Sequence, residues 1–133
     1  MQPPPEGYEP HFRKSKITDP WEPIYSRRTE DGVWIGLWAS EAHANSRGFV
    51  HGGLMAALAD NAMGLSCGQH TDTPAGLVTV SLSLDYLGSA KVGQWLAFEV
   101  QVLKRGRAMH FAQAIITADG VPCARASATF KVA

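Results

Sequence analysis

The sequence predicts an α+β fold in which one long helix packs against a curved antiparallel sheet of about five to six strands. One segment, Leu54 to Cys67, is apolar and rich in helix-forming residues. Most of the remaining chain consists of short segments in which apolar and polar residues alternate. A helix with almost no polar face must be covered on most sides, so the sheet has to curl around it.

The composition predicts a single domain. The chain has 133 residues and is 45% hydrophobic, which is ample for one core. Residues 1–20 are expected to form an N-terminal tail, loosely ordered at its proline-rich start, and residues 21–133 to form the domain. Twelve basic residues balance twelve acidic ones without a long basic run, so nucleic-acid binding is not expected. No leader or disulfide spacing is recognised, which indicates the cytoplasm.

The apolar segment is predicted to be a buried helix and not a membrane span. From Gly52 to Cys67 it is shorter than the roughly 20 apolar residues that a bilayer requires, and Asp60 interrupts it. A helix from Leu54 to Cys67 would be about 21 Å long. Gly68 is well placed to end it.

Six segments have the alternation of half-buried strands. Turn signals separate them, at Asp31-Gly32, at Lys104 to Arg107 and at Asp119-Gly120. Two strands come before the helix and four come after it. The predicted strands are Ile24 to Arg28, Val33 to Trp38, Val78 to Tyr86, Leu96 to Val102, Met109 to Thr117 and Val121 to Val132.

A combination of motifs in the middle of the chain points to a family. The segment NSRGFVHGG, from Asn45 to Gly53, is followed by LADNAMG, in which Asp60 comes nine residues after His51. Together with the strand TVSLSLDYL, this combination resembles the hotdog-fold acyl-CoA thioesterases, specifically the phenylacetate-pathway (PaaI-like) subgroup. The resemblance extends roughly from Glu22 to Ala133. It implies a hotdog fold and the hydrolysis of acyl-CoA to a free acid and CoA.

The chemistry of thioester hydrolysis explains why these residue types matter. The reaction needs a donor for the charge that develops on the carbonyl oxygen, and a carboxylate that activates water or attacks directly. A helix N-terminus supplies free N–H groups, and Gly52 and Gly53 let a carbonyl approach them. Asp60 is the candidate carboxylate, but it lies roughly 10 Å or more farther along the helix. One chain would therefore have difficulty forming the whole site.

The resemblance implies how this distance is overcome and what each residue does. Hotdog subunits form dimers in which two helices lie side by side, so the glycines come from one chain and the acid from the other. A dimer of dimers is also expected. Asn45 and the Gly52 N–H would polarise the thioester carbonyl, His51 would assist near the leaving sulfur, and Thr79 would orient the water or the carboxylate. Neither a metal nor a cofactor is expected, since CoA is part of the substrate.

Each of these residues also has a structural interpretation. Asp60 could be a buried acid whose only role is to bond a hydroxyl or amide group. His51 could cap the helix, and Thr79 could belong to an ordinary strand surface. Arg105 and Arg107 are candidates for binding CoA phosphates, or they could lie in a solvated turn.

Two classes of function remain open on the sequence alone. The first is an acyl-CoA thioesterase, and the second is a hotdog module that binds acyl-CoA without hydrolysing it. Burying an acid is costly, so Asp60 favours the enzyme. A hydratase or dehydratase on the same fold is a weaker alternative, because the spacing of histidine and acid in those relatives is not found here.

Overall fold

The computed structural model describes residues 2–69 and 76–133, which contain one α-helix, α1, from Gly52 to Gly68. Two short 3-10 helices, Asp19–Trp21 and Glu41–His43, come before it. No helix in the described part of the chain is long and apolar enough to cross a membrane. Seven strands form one antiparallel sheet: β1 (Glu9–Pro10), β2 (Tyr25–Arg28), β3 (Val33–Trp38), β4 (Leu77–Tyr86), β5 (Trp95–Arg105), β6 (Met109–Ala118) and β7 (Val121–Val132).

The order of the strands across the sheet is β1-β2-β3-β5-β6-β7-β4. Strands β5, β6 and β7 form two successive hairpins, so that Ala114 of β6 lies between Val100 and Ala126. Strand β4 pairs with β7 and not with β5, its neighbour along the chain. Strands β1 and β4 are therefore the two edges of the sheet.

The sheet has one strand more than the five to six expected. The extra strand, β1, contains only Glu9 and Pro10, which pair with Ser26 and Tyr25 of β2. Two residues cannot show an alternating pattern, and proline is a poor strand signal because it lacks an N–H. Met1, the first residue of the expected tail, lies outside the described residues. The division into a tail of residues 1–20 and a domain stays a prediction.

The sheet buries one side of α1, and the side that carries Ala56, Ala57, Asp60, Asn61, Gly64 and Leu65 is half-exposed, so the helix is less fully covered than its apolar sequence predicts. The side chains of Leu58, Ala59, Ala62 and Met63 are inaccessible to solvent, and α1 contacts every strand from β3 to β7. The predicted helix is confirmed, although it begins two residues before Leu54. The α+β architecture is confirmed as well, and it is the hotdog fold that the sequence resemblance implies.

The outer face of the sheet carries a second, smaller apolar cluster. Tyr25 and Trp95 are its large buried members, and Tyr8 and Trp38 pack against them. The rings of Trp38 and Trp95 meet edge to face with their centroids 5.1 Å apart. The indole Nε1 of Trp38 also donates a hydrogen bond of 3.1 Å to the carbonyl of Pro3. This outer aromatic cluster fastens the N-terminal segment to the sheet.

Arg105, the last residue of β5, caps the C-terminal end of α1. Its guanidinium donates hydrogen bonds to the carbonyl oxygens of Ser66 (2.9 Å), Cys67 (3.3 Å) and Asp31 (2.8 Å). Carbonyl groups in the last turn of a helix lack helical partners and carry partial negative charge. Arg105 therefore satisfies the end of α1 and connects it to the turn between β2 and β3.

We expect Arg105→Ala to lower the free energy of unfolding by about 2 kcal/mol, because it leaves several partly buried carbonyl groups without their charged donor. Urea unfolding at one fixed protein concentration measures this loss. Arg107→Ala is the matched control, since Arg107 lies exposed in the same turn and its loss should cost less than about 0.5 kcal/mol. Equal stability of the two variants would contradict the structural role of Arg105.

Candidate active site

The loop before α1 folds around the side chain of Asn45. Its Oδ1 accepts hydrogen bonds from the backbone N–H groups of Arg47 (2.9 Å) and Phe49 (3.2 Å). Gly48 permits this turn because its φ of +83° lies in the left-handed region. Since the loop occupies Oδ1, the amide hydrogens on Nδ2 remain as donors, and they have no partner among residues 2–69 and 76–133.

His51 is the N-cap of α1. Its Nδ1 accepts a hydrogen bond of 2.8 Å from the Gly53 N–H, so the neutral ring carries its hydrogen on Nε2. The capping role, which the sequence left as an alternative, is therefore observed, and the role near a leaving sulfur stays a prediction. This bond also occupies the Gly53 N–H, and substrate binding by Gly53 stays a prediction.

The peptide between Gly52 and Gly53 is held at both ends. Its N–H donates to His51, and its carbonyl, that of Gly52, accepts a hydrogen bond of 2.6 Å from the hydroxyl of Tyr86. The preceding N–H, that of Gly52, has no partner among the described residues. A Cβ atom at Gly52 would lie 3.2 Å from Cζ of Tyr86, so a side chain there would crowd this contact. The arrangement fixes the direction of a free backbone donor at the start of the helix.

A β-bulge in β4 decides which side chains of this strand face the helix. Thr79 pairs with Phe130 of β7, whereas Ser81 pairs with the adjacent Thr129, so Val80 is the extra residue. Strict alternation would place Thr79 and Tyr86 on opposite faces, because they are seven residues apart. The extra residue reverses the alternation, and both side chains bond to α1.

Asp60 lies near the middle of α1, where one of its oxygens is held by the sheet. Its Oδ1 accepts a hydrogen bond of 2.6 Å from Oγ1 of Thr79. No hydrogen bond to Oδ2 is formed by the described residues. Both Asp60 and Thr79 line a cavity of about 410 Å³. The hydroxyl partner agrees with the structural interpretation of Asp60, while its place on a cavity wall is what a reacting carboxylate requires.

The chain thus brings the predicted site residues together as two groups. Asn45, His51 and Gly52 surround the N-terminus of α1, and Asp60 and Thr79 form the second group. Gly52 and Asp60 are eight residues apart in one helix, which separates their backbones by about 12 Å. A single subunit does not place both groups around one small reacting centre.

The two arginines predicted to bind CoA phosphates lie away from both groups. Arg105 bonds the carbonyls at the opposite end of α1 from Gly52. Arg107 is exposed in the turn that follows. Their contact with CoA stays a prediction, and the structure gives Arg105 a capping role that its place in a turn of basic residues did not reveal.

Tyr86 is the residue at this site that sequence reasoning missed. The alternation in β4 identifies it only as the last apolar residue of that strand. The residue type is the signal in the sequence. A tyrosine combines an apolar ring with a hydroxyl group, and on the helix-facing side of a strand this hydroxyl usually has a hydrogen-bond partner.

Neither cysteine has the character of a nucleophile. Burial raises the pKa of the Cys67 thiol to about 11, and burial also raises the pKa of Cys123. Both thiols are therefore protonated at neutral pH, whereas reactive cysteines need accessible thiolates.

The chain is similar in sequence to known proteins. The Pseudomonas aeruginosa protein "Putative esterase PA0474" is 37% identical over 129 residues, 96% of each chain. Human acyl-coenzyme A thioesterase 13 is 37% identical over 79 residues, which make up 58% of this chain and 54% of the human protein.

Solved structures share the fold. The Streptococcus mutans protein smu.793, crystallised with acetyl CoA, has a TM-score of 0.72 at 27% identity, covering 81% of this chain and 86% of that one. The phenylacetic acid degradation protein PaaI of Thermus thermophilus has a TM-score of 0.74 at 18% identity, covering 83% and 93%. The sequence profile of the thioesterase superfamily matches residues 47–124, more than half of the chain. This protein therefore belongs to the thioesterase superfamily.

Proposed function

We propose that this protein hydrolyses acyl-CoA thioesters in a site formed by two subunits. The observation that carries the proposal is the Asp60 carboxylate, held on a cavity wall by the 2.6 Å hydrogen bond from Thr79. The acetyl CoA bound to the Streptococcus mutans relative and the name of the human thioesterase support CoA esters as the substrate class.

The free donors at the start of α1 would bind the thioester carbonyl. The Gly52 N–H points out of the helix N-terminus, where the helix dipole adds positive potential. The Nδ2 hydrogens of Asn45 supply a second donor. As negative charge develops on the carbonyl oxygen, both hydrogen bonds strengthen, and such fixed donors lower the barrier for acyl transfer.

Asp60 would supply the carboxylate for the attack. As a general base it takes a proton from water while the water oxygen bonds to the carbonyl carbon, and Thr79 orients the carboxylate through its hydroxyl. The carbon–sulfur bond then breaks, the carboxylic acid is formed, and the proton passes to the CoA thiolate. Direct attack by Asp60, followed by hydrolysis of the anhydride, is the other form of the same chemistry. The exposed Nε2–H of His51 would face the leaving sulfur.

Tyr86 would act as a positioning residue for the carbonyl donor. It does not touch the reacting atoms, but its hydroxyl bonds the Gly52 carbonyl at 2.6 Å. With the His51 bond at the other end of the same peptide, this contact limits rotation of the backbone next to the Gly52 N–H. A donor that is already aligned needs little reorganisation in the transition state.

The second subunit would supply the missing half of each site. The separation of about 12 Å between Gly52 and Asp60 requires it. Strand β4 supports an interface at this edge of the sheet, because it is an edge strand whose apolar side chains Val78, Val80 and Leu82 are exposed. Pairing at this edge would repeat the site by two-fold symmetry. A dimer of dimers and a cytoplasmic location stay predictions.

We expect Asp60→Asn to lower kcat by about 100-fold or more, the loss typical of removing a general base. Amide and carboxylate have nearly the same shape, so circular dichroism and the oligomeric state should be unchanged. Asp19→Asn, in the exposed 3-10 helix, is the control and should keep full activity. Near-normal CoA release by the Asp60 variant, over acyl-CoAs of graded length and aromaticity, would show that Asp60 is not the catalytic carboxylate.

We expect Asp60→Asn and Gly52→Pro, each inactive alone, to restore activity when their subunits are mixed. Proline removes the Gly52 N–H and is tolerated in the first helical turn, and the preceding residue, His51, has the extended conformation (ψ of 131°) that proline favours. A mixed dimer has one intact site of two, so random pairing of equal amounts should recover about a quarter of the wild-type activity. No recovery after mass spectrometry has shown subunit exchange would place the whole site in one chain.

We expect Tyr86→Phe to lower kcat by about tenfold with little change in KM, because one neutral hydrogen bond is lost and the donor that it aligns acts mainly in the transition state. The ring remains, so Tm should change little. Ser83→Ala is a control on the outer face of the same strand, where Ser83 bonds Ser127 at 3.0 Å. If Tyr86→Phe turned over substrate as fast as the Ser83 variant, Tyr86 would have only a packing role.

A further inference from the structure

The cavity that contains Asp60 also has two arginines in its wall. Arg13, from the N-terminal segment, and Arg28, from β2, line it together with Phe12. The ion pairs formed within residues 2–69 and 76–133 are Lys14–Glu22, Arg105–Asp31 and Arg125–Asp85. Neither cavity arginine takes part in them or donates a hydrogen bond to a described residue. Two positive charges thus line the cavity, and neither forms an ion pair with a carboxylate of the described residues.

The fold orients the side chain of Arg28 and fixes the backbone just before Arg13. The guanidinium carbon of Arg28 lies 4.2 Å from the ring centroid of Phe12, a cation–π contact that orients the group but leaves its N–H donors unused. Arg28 pairs with Val33 across the hairpin of β2 and β3. The segment before Arg13 is fixed by a hydrogen bond of 2.9 Å from the His11 N–H to the Ile24 carbonyl.

The surroundings of His11 place both arginines near one another. The pKa of His11 is lowered from its ordinary value, first by burial. Among the nearby charges, Glu22 has the largest effect and raises this pKa, whereas Lys14, Arg13 and Arg28 lower it. Glu22 forms its ion pair with Lys14, at 3.0 Å, and not with either arginine.

The arginines and Asp60 belong to different parts of the cavity. Val33, which pairs with Arg28 in the sheet, donates its N–H to Oγ of Ser66 at 2.9 Å. Arg28 therefore lies beside the C-terminal end of α1, and Ser66 is six residues, or about 9 Å, along the helix from Asp60. An anion would be repelled next to the Asp60 carboxylate, whereas unpaired guanidinium groups bind carboxylates and phosphates through charge-assisted, often paired hydrogen bonds.

We infer that the arginine end of this cavity, at Arg13 and Arg28, binds an anionic group of the substrate. This inference rests on the proposed function, since it concerns acyl-CoA molecules held with their thioester at Asp60. The anion is either a carboxylate at the far end of the acyl group or a phosphate of CoA. The recognition chemistry is the same in both cases, and kinetics separates the two sources.

The experiment compares the wild type with a double variant, Arg13→Gln/Arg28→Gln, on two substrates of equal chain length. Hexanoyl-CoA has a neutral acyl group, and adipoyl-CoA ends in a carboxylate. If the acyl carboxylate binds here, the double variant should raise KM about tenfold for adipoyl-CoA only, the effect of losing a charge-assisted contact. If a CoA phosphate binds here, KM should rise by a similar factor for both substrates. In either case kcat should stay within about twofold, because the reacting groups are untouched.

Arg27→Gln is the matched control. Arg27 precedes Arg28 in β2, but its guanidinium carbon lies 5.5 Å from the ring centroid of Trp34 and it does not line the cavity. Arg13→Lys/Arg28→Lys keeps the charge and should restore part of the affinity. KM values equal to those of the Arg27 variant on both substrates would overturn the inference while leaving the thioesterase function intact.

Calorimetric titration of CoA and of free adipate tests the same site without turnover. If no acyl-CoA is hydrolysed, the proposed thioesterase function is wrong, but this result does not decide whether the arginines bind an anion. The arginine site would still be supported by weaker binding of either compound to the double variant than to the Arg27 variant. Identical binding by the two variants would overturn it.

Discussion

The structure depends on one constraint, the need to bury the large apolar side chains of α1. Helix α1 has almost no polar face. The sheet curls, so that strands from β3 to β7 all contact the helix. Consequently the N-terminus of α1, the middle of α1 and its C-terminus each meet a different part of the sheet. At each of these three places, polar side chains form hydrogen bonds with groups of the helix.

Each of these polar contacts satisfies a backbone or side-chain group of α1. Arg105 satisfies carbonyls at one end, His51 and Tyr86 hold the first peptide at the other, and Thr79 bonds the acid in between. The groups proposed to react are therefore attached to a helix that contacts five strands of the sheet, and a transition-state donor needs support of this kind.

Much of the fold could be predicted from the sequence, because it depends on periodicity. The helix, six of the strands and the turns at Asp31-Gly32 and Asp119-Gly120 follow from patterns that repeat along the chain. The bulge at Val80 could not be predicted, because an extra residue in a strand of alternating Val, Ser and Leu leaves no mark on composition. That bulge decides whether Thr79 faces the helix. Of the candidate site, the residue types were recognisable, but the contacts of Tyr86 and Arg105 depend on strand pairings distant in sequence.

The outer aromatic cluster has a consequence for the inner side of the protein. Trp38 and Trp95 lie on the face of the sheet that does not contact α1, yet Trp38 holds the segment that continues to Phe12 and Arg13. Part of the cavity wall thus belongs to an N-terminal segment that is attached to the opposite face of the sheet. Substitutions in the outer aromatic cluster can therefore move part of the cavity wall without touching the cavity itself.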